Sequence, residues 1–100
     1  MRAGSNGELA EAIELRKRAR ELEVGKNGTA DLVTAADLMR RSAEMGDSQA
    51  QYWYGRYLEL GHGVEQNFDS AITYYEKSGK NGFAEAQLKL GILHYRGDAG

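Results

Sequence analysis

The chain has 100 residues, of which 41% are hydrophobic and 28% are charged, and its formal net charge is −2. This composition is typical of one small globular domain, and the nearly balanced charge argues against a nucleic-acid or acidic-membrane partner. The absence of cysteine excludes disulfides and thiolate chemistry, and both the cytoplasm and the periplasm suit such a chain. Because no apolar run approaches the length of a membrane span, no membrane insertion is expected.

Apolar residues at helical spacing predict a first helix over residues 7–24, with acidic side chains early and basic ones late, as the helix dipole favours. The chain contains no proline, so glycine must end its helices. Gly25 and Gly28 end the first helix. A second helix is predicted to begin near Asp31 and to end at Gly46, a C-terminal capping glycine.

Three further helices follow in the sequence. The third is predicted to begin with a cap at Asp47 or Ser48, and the fourth, after a glycine-containing loop, with a cap at Asn67 or Asp69. The fifth covers residues 83–95. No strand-length run alternates polar and apolar residues, so we predict an all-α chain of about five helices.

The chain repeats itself at an offset of 36 residues. The clearest matches are Ala50-Gln51 with Ala86-Gln87, Tyr54-Gly55 with Leu90-Gly91, and Gly61 with Gly97. A fixed period of this size is typical of a solenoid, in which each unit buries its core against its neighbours. We predict one repeat domain over residues 8–97, with units at about 8–46 and 48–82 and a half unit at 84–96. Residues 1–7 are interpreted as an expression tag or a disordered segment, and 98–100 as a disordered end.

Several motifs within the repeated stretch point to one family. They are Ala50-Gln51-Tyr52, Tyr54-Gly55, Gly61-His62-Gly63-Val64, Asn67-Phe68-Asp69-Ser70-Ala71, Tyr74-Tyr75-Glu76-Lys77-Ser78-Gly79, Asn81-Gly82, Ala84-Glu85-Ala86-Gln87 and Leu90-Gly91. In this order they resemble the Sel1-like repeats, which are related to tetratricopeptide repeats. The resemblance implies a right-handed superhelical α/α solenoid of helix-turn-helix units. It also implies that the concave face, formed by the first helix of each unit, binds a peptide or protein partner.

The first unit departs from this pattern. Gly25-Lys26-Asn27-Gly28 replaces the Gly-x-Gly-Val loop, and Arg18-Ala19 occupies the position of the Leu-Gly pair. An end unit needs a polar outer face, and this helix is heavily charged. We therefore expect the first helix to act as an N-terminal cap.

Small residues are predicted where helices cross. Gly55 and Gly91 each cost about 1 kcal/mol relative to alanine inside a helix, a cost that close backbone contact offsets. A large side chain at Gly55 is expected to overpack the crossing.

The aromatic residues are assigned to two roles. Four tyrosines are expected to pack in the core or between units: Tyr54, Tyr57, Tyr74 and Tyr75. Trp53 differs, because the matching residue one unit later is the polar Lys89. Since Trp, Tyr and Arg are enriched at binding hot spots, the predicted partner-binding residues are Tyr52, Trp53, Arg56, Glu59 and Lys89. Alternatively, Trp53 covers the side of the first or the fifth helix.

The sequence argues against three kinds of chemical site, a phosphate loop, a metal site and a nucleic-acid site. Residues 25–29 lack the residue order of a phosphate loop. His62 and His94 are the only histidines, and no metal-ligand spacing links them. The basic run Arg16–Arg20 is expected to pair with glutamates one helical turn away rather than to bind nucleic acid.

The sequence favours two functions over a third, catalysis. The leading one is a non-catalytic interaction scaffold or adaptor, with no cofactor and no metal. The second is self-association through the fifth helix, which has no second helix of its own, so that Leu90 and Leu93 would be exposed. An enzyme would need a nucleophile with a base, or paired acids, and the sequence shows no such set.

Overall fold

A computed structural model describes residues 6–25, 28 and 30–96. These residues form five α-helices and no strand: α1 (Asn6–Val24), α2 (Leu32–Glu44), α3 (Ser48–Leu60), α4 (Phe68–Lys80) and α5 (Ala84–Arg96). The predicted all-α class is confirmed. α1 begins at Asn6, inside the segment 1–7 that was set apart from the repeats. The interpretations of residues 1–5 and 97–100, and most of the first loop, lie outside the described residues.

Side-chain caps set the starts of the three middle helices. In each, an Asp or Asn oxygen accepts the backbone N–H three residues later, which satisfies one of the free donors at a helix N-terminus. The bonds are Asp31 to Thr34 (3.0 Å), Asp47 to Ala50 (3.2 Å) and Asn67 to Ser70 (3.0 Å). Of the two alternatives predicted for α3 and for α4, the earlier residue is the cap in both cases.

The 36-residue offset is a repeat of contacts as well as of letters. Consecutive helices pack on one another, and the same hydrogen bonds recur in the two units. Ser42 Oγ donates to the carbonyl of Ala12 (2.6 Å), as Ser78 Oγ does to Ser48 (2.7 Å). The α1–α2 and α3–α4 loops are closed by Asp31 N–H to Leu22 O (2.9 Å) and Asn67 N–H to Leu58 O (2.8 Å). Each unit is therefore one helix pair, and α5 is the first helix of a third.

Gly55 lies where α3 crosses α4. A Cβ atom at this position would lie 2.8 Å from the Tyr75 ring and 3.2 Å from the carbonyl oxygen of Ala71. The predicted close crossing is confirmed here. At Gly91 it is wrong: a Cβ there would meet nothing within 4 Å, because no described helix covers that face of α5.

The core joins residues from all five helices. The predicted structural tyrosines are confirmed: Tyr54, Tyr57 and Tyr75 are buried, and half-buried Tyr74 packs its ring edge-on against Tyr54, with centroids 5.0 Å apart. The expectation that Leu90 and Leu93 are exposed is wrong. Leu93 is 1% exposed and Leu90 is half-buried, because Leu93 occupies the register position of Tyr57 and faces the preceding helices. The exposed large apolar residues of α5 are Leu88, Ile92 and Tyr95.

Candidate functional site

A cavity of about 300 Å³ opens between α1, α3 and the loop after α3. Two lining residues come from α1, four from α3 and one from the loop: Arg20, Glu23, Trp53, Arg56, Tyr57, Leu60 and His62. α1 and α3 are the first helices of their units. The cavity, called the α1–α3 cavity below, therefore lies on the surface formed by the first helices, which is the surface predicted to bind a partner.

Trp53 is held in place from two sides. The guanidinium carbon of Arg20 lies 4.0 Å from the centre of the Trp53 ring, a cation–π contact between α1 and α3. The ring of Tyr52 meets the Trp53 ring edge-on, with centroids 5.5 Å apart. Trp53 thus covers part of α1, as one alternative predicted, and it also lines the cavity. Arg20 and Tyr52 therefore hold the indole from two repeats, one residue on α1 and one on α3.

Glu23 is the single acid of the cavity, and its charge is compensated from within the protein. One carboxylate oxygen accepts hydrogen bonds from the Tyr57 hydroxyl (2.7 Å) and from Arg20 (2.6 Å). The other lies 3.5 Å from His62 Nε2, a buried nitrogen that forms no hydrogen bond with the described residues. Burial, followed by the hydrogen bond to Glu23, raises the pKa of the Tyr57 hydroxyl, so Tyr57 stays a proton donor to Glu23.

Arg56 contributes the uncompensated charge of the cavity. Its guanidinium carbon lies 5.8 Å from the Trp53 ring centre, and the guanidinium makes no hydrogen bond or ion pair with any residue that the structure describes. Leu60, one helical turn further along α3, is 59% exposed. The cavity therefore offers a free cation beside an aromatic and an aliphatic surface.

The other three predicted binding residues point to different neighbours. Tyr52 packs towards α4 and the loop after it, with ring centroids 5.7 Å from Tyr75 and 5.3 Å from Phe83. Glu59 accepts a hydrogen bond from the Tyr75 hydroxyl (2.5 Å) and forms an ion pair with Lys89 (3.2 Å). Of the five residues, the structure brings only Trp53 and Arg56 into the cavity, while Glu59 and Lys89 pair with each other.

Sequence reasoning did not select the other five lining residues, namely Arg20, Glu23, Tyr57, Leu60 and His62. For two of them the sequence holds a signal. Arg20 and Glu23 stand 36 residues before Arg56 and Glu59, which were predicted to bind a partner. The repeat register therefore places Arg20 and Glu23 at the equivalent positions of α1. Tyr57 was correctly assigned to the core, but its hydroxyl reaches the cavity wall.

Two of the four cations in the basic run Arg16–Arg20 form ion pairs with described residues. Arg20 pairs with Glu23 one turn away, as predicted. For Arg16 the prediction is wrong, because its partner is Asp47 in the α2–α3 turn, at 2.6 Å. Among the described residues there is no cluster of three or more potential metal ligands, and no helix long and apolar enough to cross a membrane.

A family model places this architecture. The Sel1 repeat model matches residues 15–47, 48–83 and 84–100. The chain belongs to the Sel1 repeat family. Members of this family are generally protein–protein interaction modules. The match to residues 15–47 counts the second half of α1 as part of a repeat, which weighs against a purely capping role for that helix.

Solved Sel1-type structures share the fold. A Sel1 repeat protein from Oxalobacter formigenes is 27% identical with a TM-score of 0.79, over 81% of this chain and 61% of its own. A protective antigen of uropathogenic Escherichia coli, which displays a Sel1-like repeat (SLR) fold, is 33% identical with a TM-score of 0.82. The match covers 91% of this chain and 20% of that one. Cysteine rich protein B of Helicobacter pylori is 28% identical (TM-score 0.76, 87% and 63%). This chain spans less than two thirds of each of these three structures.

Proposed function

We propose that this Sel1 repeat chain is a non-catalytic adaptor or scaffold module that binds a protein or peptide partner in the α1–α3 cavity. The observation that carries the proposal is a difference between the second unit and α5, the first helix of the third. At the positions of Trp53 and Arg56 the next unit has Lys89 and Ile92, so the repeat fold itself requires neither an indole nor a guanidinium there. Residues that the fold does not require are free to carry specificity.

The geometry of Trp53 supports a binding role. Tryptophan and arginine are enriched at hot spots, where a few side chains supply most of the binding free energy. The contacts with Tyr52 and Arg20 order the Trp53 ring in advance, which lowers the entropy cost of association.

The proposal is tested by capturing partners from an extract of the source cells with three variants of the whole chain. Trp53→Ala and Arg56→Ala are expected to lose a partner that the unchanged chain retains. Tyr95→Ala removes a 93% exposed aromatic ring from α5, outside the cavity, and is expected to keep it. Loss with Tyr95→Ala alone would contradict the assignment to the α1–α3 cavity.

A second candidate function, self-association, is favoured by the open face of α5. On α3 the corresponding face is covered by α4, whose Tyr75 lies against Gly55. On α5 the same register leaves Gly91 open and exposes Leu88 and Tyr95. An exposed apolar surface of this kind is typical of an interface.

Sedimentation velocity over a range of chain concentrations tests this candidate. A dimer that Leu88→Glu converts to monomer, while the cavity variant Trp53→Ala does not, would support self-association through α5. A chain that stays monomeric throughout would exclude it.

A further inference from the structure

We infer that the α1–α3 cavity binds a carboxylate of its partner, the side chain of an aspartate or glutamate in a peptide segment, and that Arg56 forms the ion pair with it. This inference rests on the proposed function and adds the chemistry of the ligand.

The charge balance of the cavity carries the first step. Arg20 and Glu23 neutralise each other at 2.6 Å, and the remaining acceptor of Glu23 faces His62. Arg56 is left as a half-exposed cation without an ionic partner among the described residues. The lining therefore has an excess positive charge, and it is complementary to an anionic group. A guanidinium binds a carboxylate through two parallel hydrogen bonds, which fixes the geometry of the pair.

The apolar part of the lining carries the second step. Trp53 and Leu60 flank Arg56 along α3, and Leu60 is 59% exposed. A partner that presents its acid next to an apolar side chain would cover both. At about 300 Å³ the cavity suits one or two side chains of a bound segment.

A basic ligand fits this cavity less well. Glu23 is the only lining acid, and its oxygens already face Tyr57, Arg20 and His62. A cationic side chain would have to displace Arg20, which would also break the Arg20 contact with Trp53. A nucleic-acid ligand is opposed by the net charge of −2.

The equivalent position between α3 and α5, the first helix of the third unit, shows what the cavity becomes without these residues. There Lys89 occupies the register position of Trp53 and pairs with Glu59 at 3.2 Å, while Ile92 replaces Arg56. The charge of Lys89 is therefore neutralised by an acid of the same chain. The described residues accordingly contain one site of this kind, between α1 and α3.

The test selects ligands from a random-sequence peptide library displayed on phage, with the whole chain as bait. We expect binding peptides enriched in an acid beside an apolar residue. In a selected peptide, changing the acid to its amide should weaken binding about tenfold or more, which corresponds to about 1.4 kcal/mol. Arg56→Gln should weaken the original peptide equally and leave the amide peptide unaffected, as expected of a directly coupled pair. Arg41→Gln, an exposed cation on α2, is the matched control and should change neither.

The outcomes distinguish the carboxylate inference from the proposed function on which it rests. Peptides that need Trp53 but carry no acid would overturn the carboxylate inference and leave the proposed function standing. Peptides that bind equally well to Trp53→Ala would contradict both. A library without any binding peptide would overturn the inference, and the partner-capture experiment would then decide the proposed function separately.

Discussion

The guanidinium of Arg20 lies 4.0 Å from the centre of the Trp53 ring and joins the first repeat to the second across the unit boundary. The same guanidinium donates a hydrogen bond to the Glu23 carboxylate, which also accepts a hydrogen bond from the Tyr57 hydroxyl. The side chains that join α1 to α3 are therefore also side chains that line the α1–α3 cavity. Stability and binding are coupled at Arg20, whereas Arg56, which has no ionic partner within the described residues, can be changed at little cost to the fold.

Arg20→Ala is expected to move the fluorescence emission of Trp53 to longer wavelength. The chain has a single tryptophan, so the signal reports on this ring alone. Loss of the covering guanidinium admits water to the indole. Lys17→Ala, an exposed cation on the same helix, is the control and should leave the spectrum unchanged. Equal spectra for the two variants would show that Arg20 does not cover the ring in solution.

Replacing the two equivalent glycines, Gly55 and Gly91, by alanine should have opposite effects on the free energy of unfolding. Gly55→Ala places a methyl group 2.8 Å from the Tyr75 ring, and overpacking should lower the free energy of unfolding by about 1–2 kcal/mol, with Gly55→Leu worse. Gly91→Ala meets open space and should raise it by up to about 1 kcal/mol through helix propensity. Urea denaturation measures both. Effects of the same sign would contradict the assigned crossing of α3 and α4.

The two aspartate caps should differ in importance. Asp47 is 6% exposed and both caps α3 and binds Arg16 at 2.6 Å, so Asp47→Ala should cost about 3 kcal/mol of unfolding free energy. Asp31 is exposed and caps α2 only, and Asp31→Ala should cost less. The hydrogen bond from the Thr34 backbone lowers the pKa of Asp31, so its contribution is present above its unfolded pKa and fades as the pH falls. Chemical denaturation of the two variants at neutral pH would contradict this ranking if the losses were equal.

Alkaline pH should destabilise the fold through two buried tyrosines. Burial and hydrogen bonds to Glu23 and Glu59 raise the pKa of Tyr57 and of Tyr75. Their contribution is complete below the unfolded tyrosine pKa of about 10, and it is lost as the pH rises from there towards the folded pKa. Denaturation midpoints should therefore fall above about pH 10. In Tyr75→Phe this fall should be shallower, whereas the exposed Tyr95→Phe should keep the slope of the unchanged chain.

The helices and their register could be predicted because their causes are local. Capping residues, helix-ending glycines and the spacing of small residues recur at 36 residues, and the structure repeats them as hydrogen bonds. Leu93 was expected to be exposed because α5 has no second helix of its own to cover it. The preceding helices already bury this residue, just as they bury Tyr57.

The site could be predicted only in part. Trp53 and Arg56 stand out because α5 of the third unit has Lys89 and Ile92 at these positions. Tyr52, Glu59 and Lys89 lie on the same helices, but the structure directs them to α4 and to one another, which depends on how neighbouring helices pack. Their role in binding a partner stays a prediction. Arg20 reaches the cavity across a unit boundary, a contact that single-helix periodicity cannot show.

Site-specific photo-crosslinking tests the central claim most directly. A photoreactive amino acid replaces Leu60 at the rim of the α1–α3 cavity in one chain, and Arg41 on the outer face of α2 in another. We predict that the Leu60 chain crosslinks to a protein or peptide partner, and that additional Trp53→Ala removes this product, while the Arg41 chain gives none. A partner crosslinked from Arg41 and not from Leu60 would contradict the account.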